Sequence, residues 1–478
     1  MKKMIRNKKK KYFIFDWKNR ILKNKVLFSV VIISYALCYY LFLFAENKIF
    51  FPYTIVGNAV FLLIIYILAF NLLRYSLIRR KNSSKNKYFL LAMWIFYIAY
   101  SVLFVRLMNF PDWLPLSLLL PTALIVMMVS VLINPRTAIT FSIFLSLSLF
   151  IIKMDPYVFI YALLSGISGT LAIVGTKKRI DLIRASTAIA AINAGIFIMI
   201  GLFKNLEPAL FPVVAGIGAA NGFVCGILNL GLLPFFEHFL NAPTRFRLME
   251  LSDINSPILK RMLTLAPGTY GHSLNVANLA ESACTEIKAN ALLARVGGYY
   301  HDIGKIDQAQ YFIENQNDIN KHDELKPSLS ISIIKSHVKI GVEKAREIGL
   351  PSEVIEIIAQ HHGNGLISFF FQKALKKNKN VSPEDFSYSE SPPTTKEAAV
   401  VMLADTIEAA SRTLKKPNIT KLESFIWDIF VQRLTTGQLN DCDLTFKDLK
   451  KIKKAFVQIL AGHFHSRIDY PVIKESLR

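Results

Sequence analysis

Cysteine is scarce in this chain of 478 residues, and the four present, Cys38, Cys225, Cys284 and Cys442, lie far apart with no CxxC pair. That excludes both a disulfide framework and a thiolate zinc site. Acidic residues are few as well: 34 Asp and Glu stand against 57 Lys and Arg, a formal net charge of +23. Histidine is missing from the first 237 residues, all nine lying at or after His238. What is abundant is apolar: 53% of residues are hydrophobic, above the roughly 45–50% of a soluble domain even when glycine is counted. An apolar excess beside so much basic charge excludes disorder and a wholly soluble globule, and points to membrane segments flanked by cations.

Eight stretches approach or reach the ~17–20 apolar residues that cross a bilayer: about 26–45, 54–73, 88–105, 114–133, 137–152, 156–175, 187–203 and 211–235. The fifth is the shortest. The first exceeds a signal-peptide core and lacks a small-residue cleavage site between Tyr39 and Glu46, so it reads as a retained anchor. Cytoplasmic loops keep the positive residues. With the N-terminus inside, the inside segments carry 22 Lys and Arg, 11 of them in residues 1–25, whereas the outside loops carry four, Lys48, Arg106, Lys153 and Lys204. The basic tail is therefore a determinant of topology rather than a nucleic-acid arm, and no nucleic-acid polymer is expected as partner. Eight spans return the chain to the cytoplasm near Phe236. Between Val213 and Leu232, Gly216, Gly218, Gly222, Gly226 and Gly231 accompany Asn221 and Asn229; small residues and amides at such spacing suit close helix packing. No Asp, Glu, Lys or Arg lies deep inside any span, which weighs against a transporter.

From about Asn241 the apolar positions follow a helical period with almost no strand signal and no internal repeat. Helices are predicted over about 271–288, 291–302, 329–348, 352–362, 397–414, 420–435 and 446–461. Residues 363–396 break the regularity and hold the aromatic run Phe369, Phe370 and Phe371; a loop this long is usually functional or mobile.

Five histidines and two aspartates punctuate these helices: His272 in YGHSLNVANLAE, His301 and Asp302 in YYHDIGK, His337 in SIIKSHVKIG, His361 and His362 in AQHHGNG, and Asp405 in VVMLADTIEAASR. Each alone has an ordinary explanation as a core, capping or paired residue. Together they ask successive helices to place imidazole or carboxylate on apolar surroundings, and Asp405 among Met402, Leu403, Ala404 and Ile407 would be costly unless paired or metal-bound. Imidazole and carboxylate without thiolate suit divalent Fe, Mn or Zn. Seven candidate ligands exceed the needs of one ion, and two ions sharing a bridging carboxylate can serve phosphoryl displacement, with Asp302 the natural bridge.

The order H…HD…H…HH…D resembles the HD-domain metal-dependent phosphohydrolases. The strings ARVGGYYHDIGK, YFIENQN, HHGNG, KEAAVVMLADTIEAASRTL and TTGQLNDCDLT are similar to the seven-transmembrane-receptor HD hydrolases, the PgpH-type cyclic di-AMP phosphodiesterases. The resemblance covers the later half nearly end to end. It implies an all-α fold: a basic cytoplasmic tail over 1–25, a polytopic membrane helix bundle over 26–236 and a cytoplasmic all-helical HD-domain over 237–478. It implies a bacterial cell-membrane enzyme hydrolysing cyclic di-AMP to pApA at two divalent metal ions, Mn or Fe, held by His272, His301, Asp302, His337, His361, His362 and Asp405. In the implied division His272 and Asp405 sit on one ion, and His337 with the HH pair on the other.

Asp302 and Lys305 are the expected catalytic residues, Lys305 being placed to meet a non-bridging phosphate oxygen unless it is an ordinary solvated lysine. The aromatics Phe369 to Phe371 and Tyr388 are candidates to stack adenine or to form a core patch. Two departures stand out. The family commonly inserts a large extracellular domain after its first span, where here only about eight residues, Glu46 to Tyr53, intervene. The related cyclic di-GMP enzymes carry GYP after the HH pair, where here HHGNGLISFFF follows. Hydrolysis of another nucleotide, (p)ppGpp or cyclic di-GMP, and a non-catalytic membrane nucleotide receptor remain the alternatives. His463 and His465, at i and i+2, share no helix face; they are expected to close the domain or a homodimer interface rather than bind metal.

Overall fold

The structure is a computed structural model that describes residues 83–107, 119–153, 155–316, 320–376, 380–414 and 418–465. The basic tail and the predicted spans over 26–45 and 54–73 lie outside the described residues. The chain divides into two compact units at Leu240/Asn241. Among the described residues both are helical, the sole β-type pairing being an isolated bridge between Leu366 and Ser387.

The first unit holds α1 (Ser83–Leu107), α2 (Thr122–Leu132), α3 (Pro135–Lys153), α4 (Pro156–Ile173), α5 (Asp181–Phe203) and α6 (Phe211–Leu240). Proline opens α3 and α4 because its missing N–H costs nothing at a first helical position. Asp155 caps α4 by accepting a hydrogen bond from the Tyr157 amide at 2.8 Å. Four segments, Lys85–Leu103, Pro156–Ile173, Asp181–Phe203 and Pro208–Leu240, are long and apolar enough to cross a membrane. Helix α2 covers the later part of the span expected over 114–133, whose residues 114–118 lie outside the described residues, and the apolar part of α3, Pro135–Phe150, is as long as the stretch expected over 137–152. Helix α6 continues past Phe236 to Leu240, so the division between units falls there rather than at residue 236.

Small residues let α5 and α6 touch. A Cβ built on Gly218, Gly222 or Gly226 would stand 2.7 Å from the Asn193 carbonyl, 2.6 Å from the Ile189 carbonyl and 2.0 Å from Ser186 Oγ, whereas Gly216 and Gly231 face open space. The i, i+4, i+8 subset of the glycine run is thus the packing seam. Amides bond across it: Asn193 Nδ2 donates to Asn221 Oδ1 at 3.0 Å, and the Tyr161 hydroxyl lies 2.8 Å from the same oxygen and 2.9 Å from the Leu120 carbonyl. These bonds tie α4, α5 and α6 together where water is excluded.

The second unit runs α7 (Arg245–Leu251), α8 (Pro257–Leu265), α9 (Pro267–Glu286), α10 (Ala291–Tyr300), α11 (Pro327–Glu347), α12 (Ser352–Gln360), α13 (Ser368–Leu375), α14 (Lys396–Ser411), α15 (Ile419–Thr435) and α16 (Phe446–His465). Side chains of Asn290, Thr395 and Asn418 cap α10, α14 and α15 by accepting from the amides of Leu293, Ala398 and Lys421. Proline starts α9 and α11 a little before the predicted boundaries. The predicted helices over 291–302 and 352–362 stop instead at Tyr300 and Gln360, just where the HD and HH pairs begin. One continuous core, including Val276, Ala280, Val296, Val401, Phe430 and Phe456, binds α9, α10, α14, α15 and α16. The irregular stretch over 363–396 is partly ordered by α13, whose Phe370 and Ala374 pack with Phe386 and Ile331 in a small second cluster. Of the aromatic run, Phe370 is therefore core, while Phe369 is 62% exposed.

Candidate metal centre and active site

All seven predicted ligands meet inside the second unit. His272 comes from the first turns of α9, His301 and Asp302 from the end of α10, His337 from the middle of α11, His361 and His362 from the end of α12, and Asp405 from α14. Asp302 is the middle member. Its Oδ1 lies 3.4 Å from His337 Nε2 and 3.7 Å from His361 Nε2, and its Oδ2 lies 3.2 Å from His301 Nε2 and 3.8 Å from His272 Nε2. Asp405 closes the other side, with Oδ1 2.9 Å from His272 Nε2 and 3.8 Å from His301 Nε2, and Oδ2 3.6 Å from His362 Nδ1. Three overlapping triads result, His272–His301–Asp405, His301–Asp302–His361 and His337–His361–His362, each with ligand atoms within 4.8 Å of one another.

Backbone geometry decides which ring nitrogen faces inward. His301, His337 and His361 each turn Nδ1 onto the carbonyl three residues earlier, of Gly298, Ile334 and Ile358. A carbonyl only accepts, so Nδ1 carries the proton and Nε2 presents its lone pair to the centre. His272 is oriented differently, between two carboxylates, with Nδ1 bonded to Glu408 and Nε2 turned inward to Asp405 Oδ1 at 2.9 Å. His301 Nε2 and both oxygens of Asp302 are buried with no hydrogen-bond partner. Orphaned buried acceptors of this kind, all nitrogen and oxygen, fit a divalent cation.

The charges agree. Burial opposes ionisation of Asp302 and Asp405, yet the imidazoles, with Lys305 beside Asp302, hold both carboxyls well below the usual range. Burial pulls His337 down to about 4 and His361, with help from the neighbouring His301, down to about 3. Burial also opposes a charge on His301, but Asp302 and Asp405 outweigh it and push the ring up to about 10. The two carboxylates thus draw positive charge to the spot between them, and a metal ion answers the same field.

Lys305 is far from an ordinary solvated lysine. Its Nζ is 2.7 Å from Asp302 Oδ2, as an ion pair rather than an aligned hydrogen bond, and it donates to Glu314 Oε1 at 2.9 Å while lying over the Phe312 ring. Burial would lower its pKa, but the two carboxylates raise it above the usual lysine range. Tyr388 stacks on the His362 ring, with centroids 4.4 Å apart and planes at 23°. One of its faces is thereby spent on the ligand itself.

Sequence reasoning missed Glu408 and Glu314. Glu408 stands one helical turn after Asp405, and that i, i+3 spacing was the available signal. Besides His272, it accepts from Arg412 Nη2 at 2.9 Å and Asn275 Nδ2 at 3.2 Å. Glu314 reaches the site through its short helical turn, where it also accepts from Thr269 Oγ1 at 3.0 Å. Partners that orient a ligating histidine typically govern metal affinity by about 10–100-fold. Glu408→Ala is therefore expected to weaken metal binding by about that factor, read by titrating metal into protein stripped with a chelator. Unaltered affinity would show that His272 needs no such anchor.

Known proteins share both parts of the chain. A family described as "7TM receptor with intracellular HD hydrolase" matches residues 52–244, and one described as "HD domain" matches residues 269–410. Seven of the eight apolar stretches fall within the first of these matches. The cyclic-di-AMP phosphodiesterase PgpH of Bacillus subtilis (strain 168) is 40% identical over 363 residues, covering 74% of this chain and 51% of that protein. The protein of the same name from Listeria monocytogenes (serotype 1/2a, strain 10403S) is 36% identical over 385 residues, covering 79% and 53%. The chain thus spans about half the length of these relatives. The crystal structure of the L. monocytogenes PgpH HD domain in complex with cyclic-di-AMP is 44% identical in sequence and covers 45% of this chain and 100% of that one, with a TM-score of 0.43.

Proposed function

Because the chain belongs to the family of 7TM receptors with an intracellular HD hydrolase, we propose that it is a metal-dependent cyclic dinucleotide phosphodiesterase of the bacterial cell membrane, cleaving cyclic di-AMP to pApA on the cytoplasmic side. The observation that carries this reading is the convergence of seven imidazole and carboxylate ligands on one buried point with Asp302 at its middle. Two relatives carry the activity in their names.

Two divalent ions, Mn or Fe, fit the donor set, with His272, His301 and Asp405 for one, His337, His361 and His362 for the other, and Asp302 between them. When bound, such ions supply an activated water and neutralise charge developing on the phosphate. The chain does the rest. Carbonyls behind three of the histidines and Glu408 behind His272 fix the ring orientations, so that Nδ1 points outward and Nε2 inward on each. Glu314 and Lys305 hold Asp302 in place from outside the ligand set. Lys305 donates one N–H to Glu314, which leaves an N–H for a non-bridging phosphate oxygen and gives the residue a catalytic as well as a positioning role.

The test is hydrolysis by the full chain in detergent, loaded with Mn or Fe and offered cyclic di-AMP, cyclic di-GMP and (p)ppGpp in parallel, with products separated by chromatography. Conversion of cyclic di-AMP to pApA that a chelator abolishes and added metal restores is the expected result. Preference for another of the three would redirect the substrate, and metal uptake with no turnover of any would favour a nucleotide receptor.

A further inference from the structure

The centre has a second cation beside it that the ligand set does not use. Arg433 lies in the last turn of α15, and its Nη2 donates to Thr406 Oγ1 at 2.9 Å. Thr406 is that guanidinium's one hydrogen-bond partner among the described residues; Nε is buried with none. Among the described residues no carboxylate forms an ion pair with it, and only the more distant charge of Asp405, with Tyr388, acts on it to raise its pKa. Its Nη1 approaches the turn after the HH pair closely enough that a Cβ on Gly365 would stand 3.3 Å away. The same turn accepts the Tyr388 amide at the Gly365 carbonyl, at 3.0 Å. Arg433 is therefore adjacent in space to both chain segments that carry ligands on this side, next to Asp405 through Thr406 and next to His362 through Gly365.

A mostly buried guanidinium with no ion-pair partner is expensive, and burial outweighs the charge of Asp405 and draws its pKa below the usual arginine value. Holding Thr406 does not explain that cost, since a neutral amide donates equally well and the threonine hydroxyl is already anchored by donating to the Met402 carbonyl at 2.8 Å. An arriving anion does explain it. The guanidinium fork matches a phosphate, and Thr406 occupies only one of its N–H bonds. We propose that Arg433 is a substrate-binding residue, receiving a phosphate oxygen of the nucleotide at the Asp405 and His362 side of the centre. This rests on the reading of the site as a cyclic dinucleotide phosphodiesterase.

Steady-state kinetics on the Mn-loaded full chain with cyclic di-AMP test it, alongside bound metal and thermal unfolding. Arg433→Gln is expected to lower kcat/KM by about 10- to 100-fold, the usual weight of a charge-assisted hydrogen bond, with metal content and Tm as in the parent. Thr406→Val, which removes the protein partner but keeps the charge, is expected to cost far less. A kcat/KM for Arg433→Gln within about twofold of the parent, or an equal loss in Thr406→Val, would make Arg433 a structural pin and overturn the proposal. If Arg433→Gln does not fold, Arg433→Lys decides: it keeps charge without the fork, and parent-like kcat/KM overturns the proposal while a roughly tenfold loss sustains it. Parent protein that turns over no cyclic di-AMP would defeat the phosphodiesterase reading itself, and this inference with it; parent turnover with indifferent variants defeats the inference alone.

Discussion

Replacing Asp302 by alanine is expected to reduce cyclic di-AMP turnover by at least about 10³-fold and to leave less than the parent complement of metal. Asp302 stands at the middle, its two oxygens facing imidazoles of both ligand groups, 3.2 Å from His301 on one side and 3.4 Å from His337 on the other. Asp405 also spans the two groups, but from the edge, with Oδ1 on His272 at 2.9 Å and Oδ2 3.6 Å from His362. The variant is expected to fold, since Lys305 keeps Glu314 at 2.9 Å and so is not left as a bare buried cation. Metal analysis, product assay and a far-UV circular dichroism melt on one preparation separate loss of the centre from loss of the fold. Undiminished turnover would refute a shared carboxylate.

Gly304→Ala is expected to be as damaging by another route, destabilising the second unit by about 3 kcal/mol or more and costing metal as a consequence. A Cβ at this position would stand 1.9 Å from the carbonyl oxygen of His337 and 2.6 Å from the amide of Gly341. Both are backbone atoms of α11, so no side-chain rotamer can relieve the clash, and the helix that delivers His337 has to retreat. Because Gly304 lies between Asp302 and Lys305, that retreat opens the centre at its middle. Denaturant unfolding compared with Gly349→Ala, whose strain would come from its φ of +70° rather than from crowding, separates a clash from a backbone penalty. A midpoint unchanged by Gly304→Ala would mean that α11 does not rest on this glycine.

Much of the site was legible because metal ligation needs particular side chains, and the helical period exposes where they fall. The motifs around His272, His301, His337, His361 and Asp405 each sit at a helix or helix end that apolar spacing, proline and capping residues mark locally. The inward-facing subset Gly218, Gly222 and Gly226 could be suspected but not separated from Gly216 and Gly231, since which glycines meet a neighbour depends on how α5 and α6 are rotated. Lys305 shows the limit most clearly. One residue past Gly304, it reads equally as a solvated lysine or a phosphate contact, and only the fold brings Glu314 and Asp302 to either side of it.

By itself, then, the sequence determined a helical chain with apolar spans ordered by their flanking cations, followed by a helical half whose histidines and aspartates are spaced for metal. These are properties of composition and of short-range period, which the backbone translates directly. Only the tertiary structure decided that Glu408 anchors His272 from 136 positions away, that Tyr388 covers His362, and that Arg433 stands beside Thr406 with its Nε unbonded. Pairings between helices distant in sequence follow from how a shared core closes, and no local pattern of residues encodes that closure.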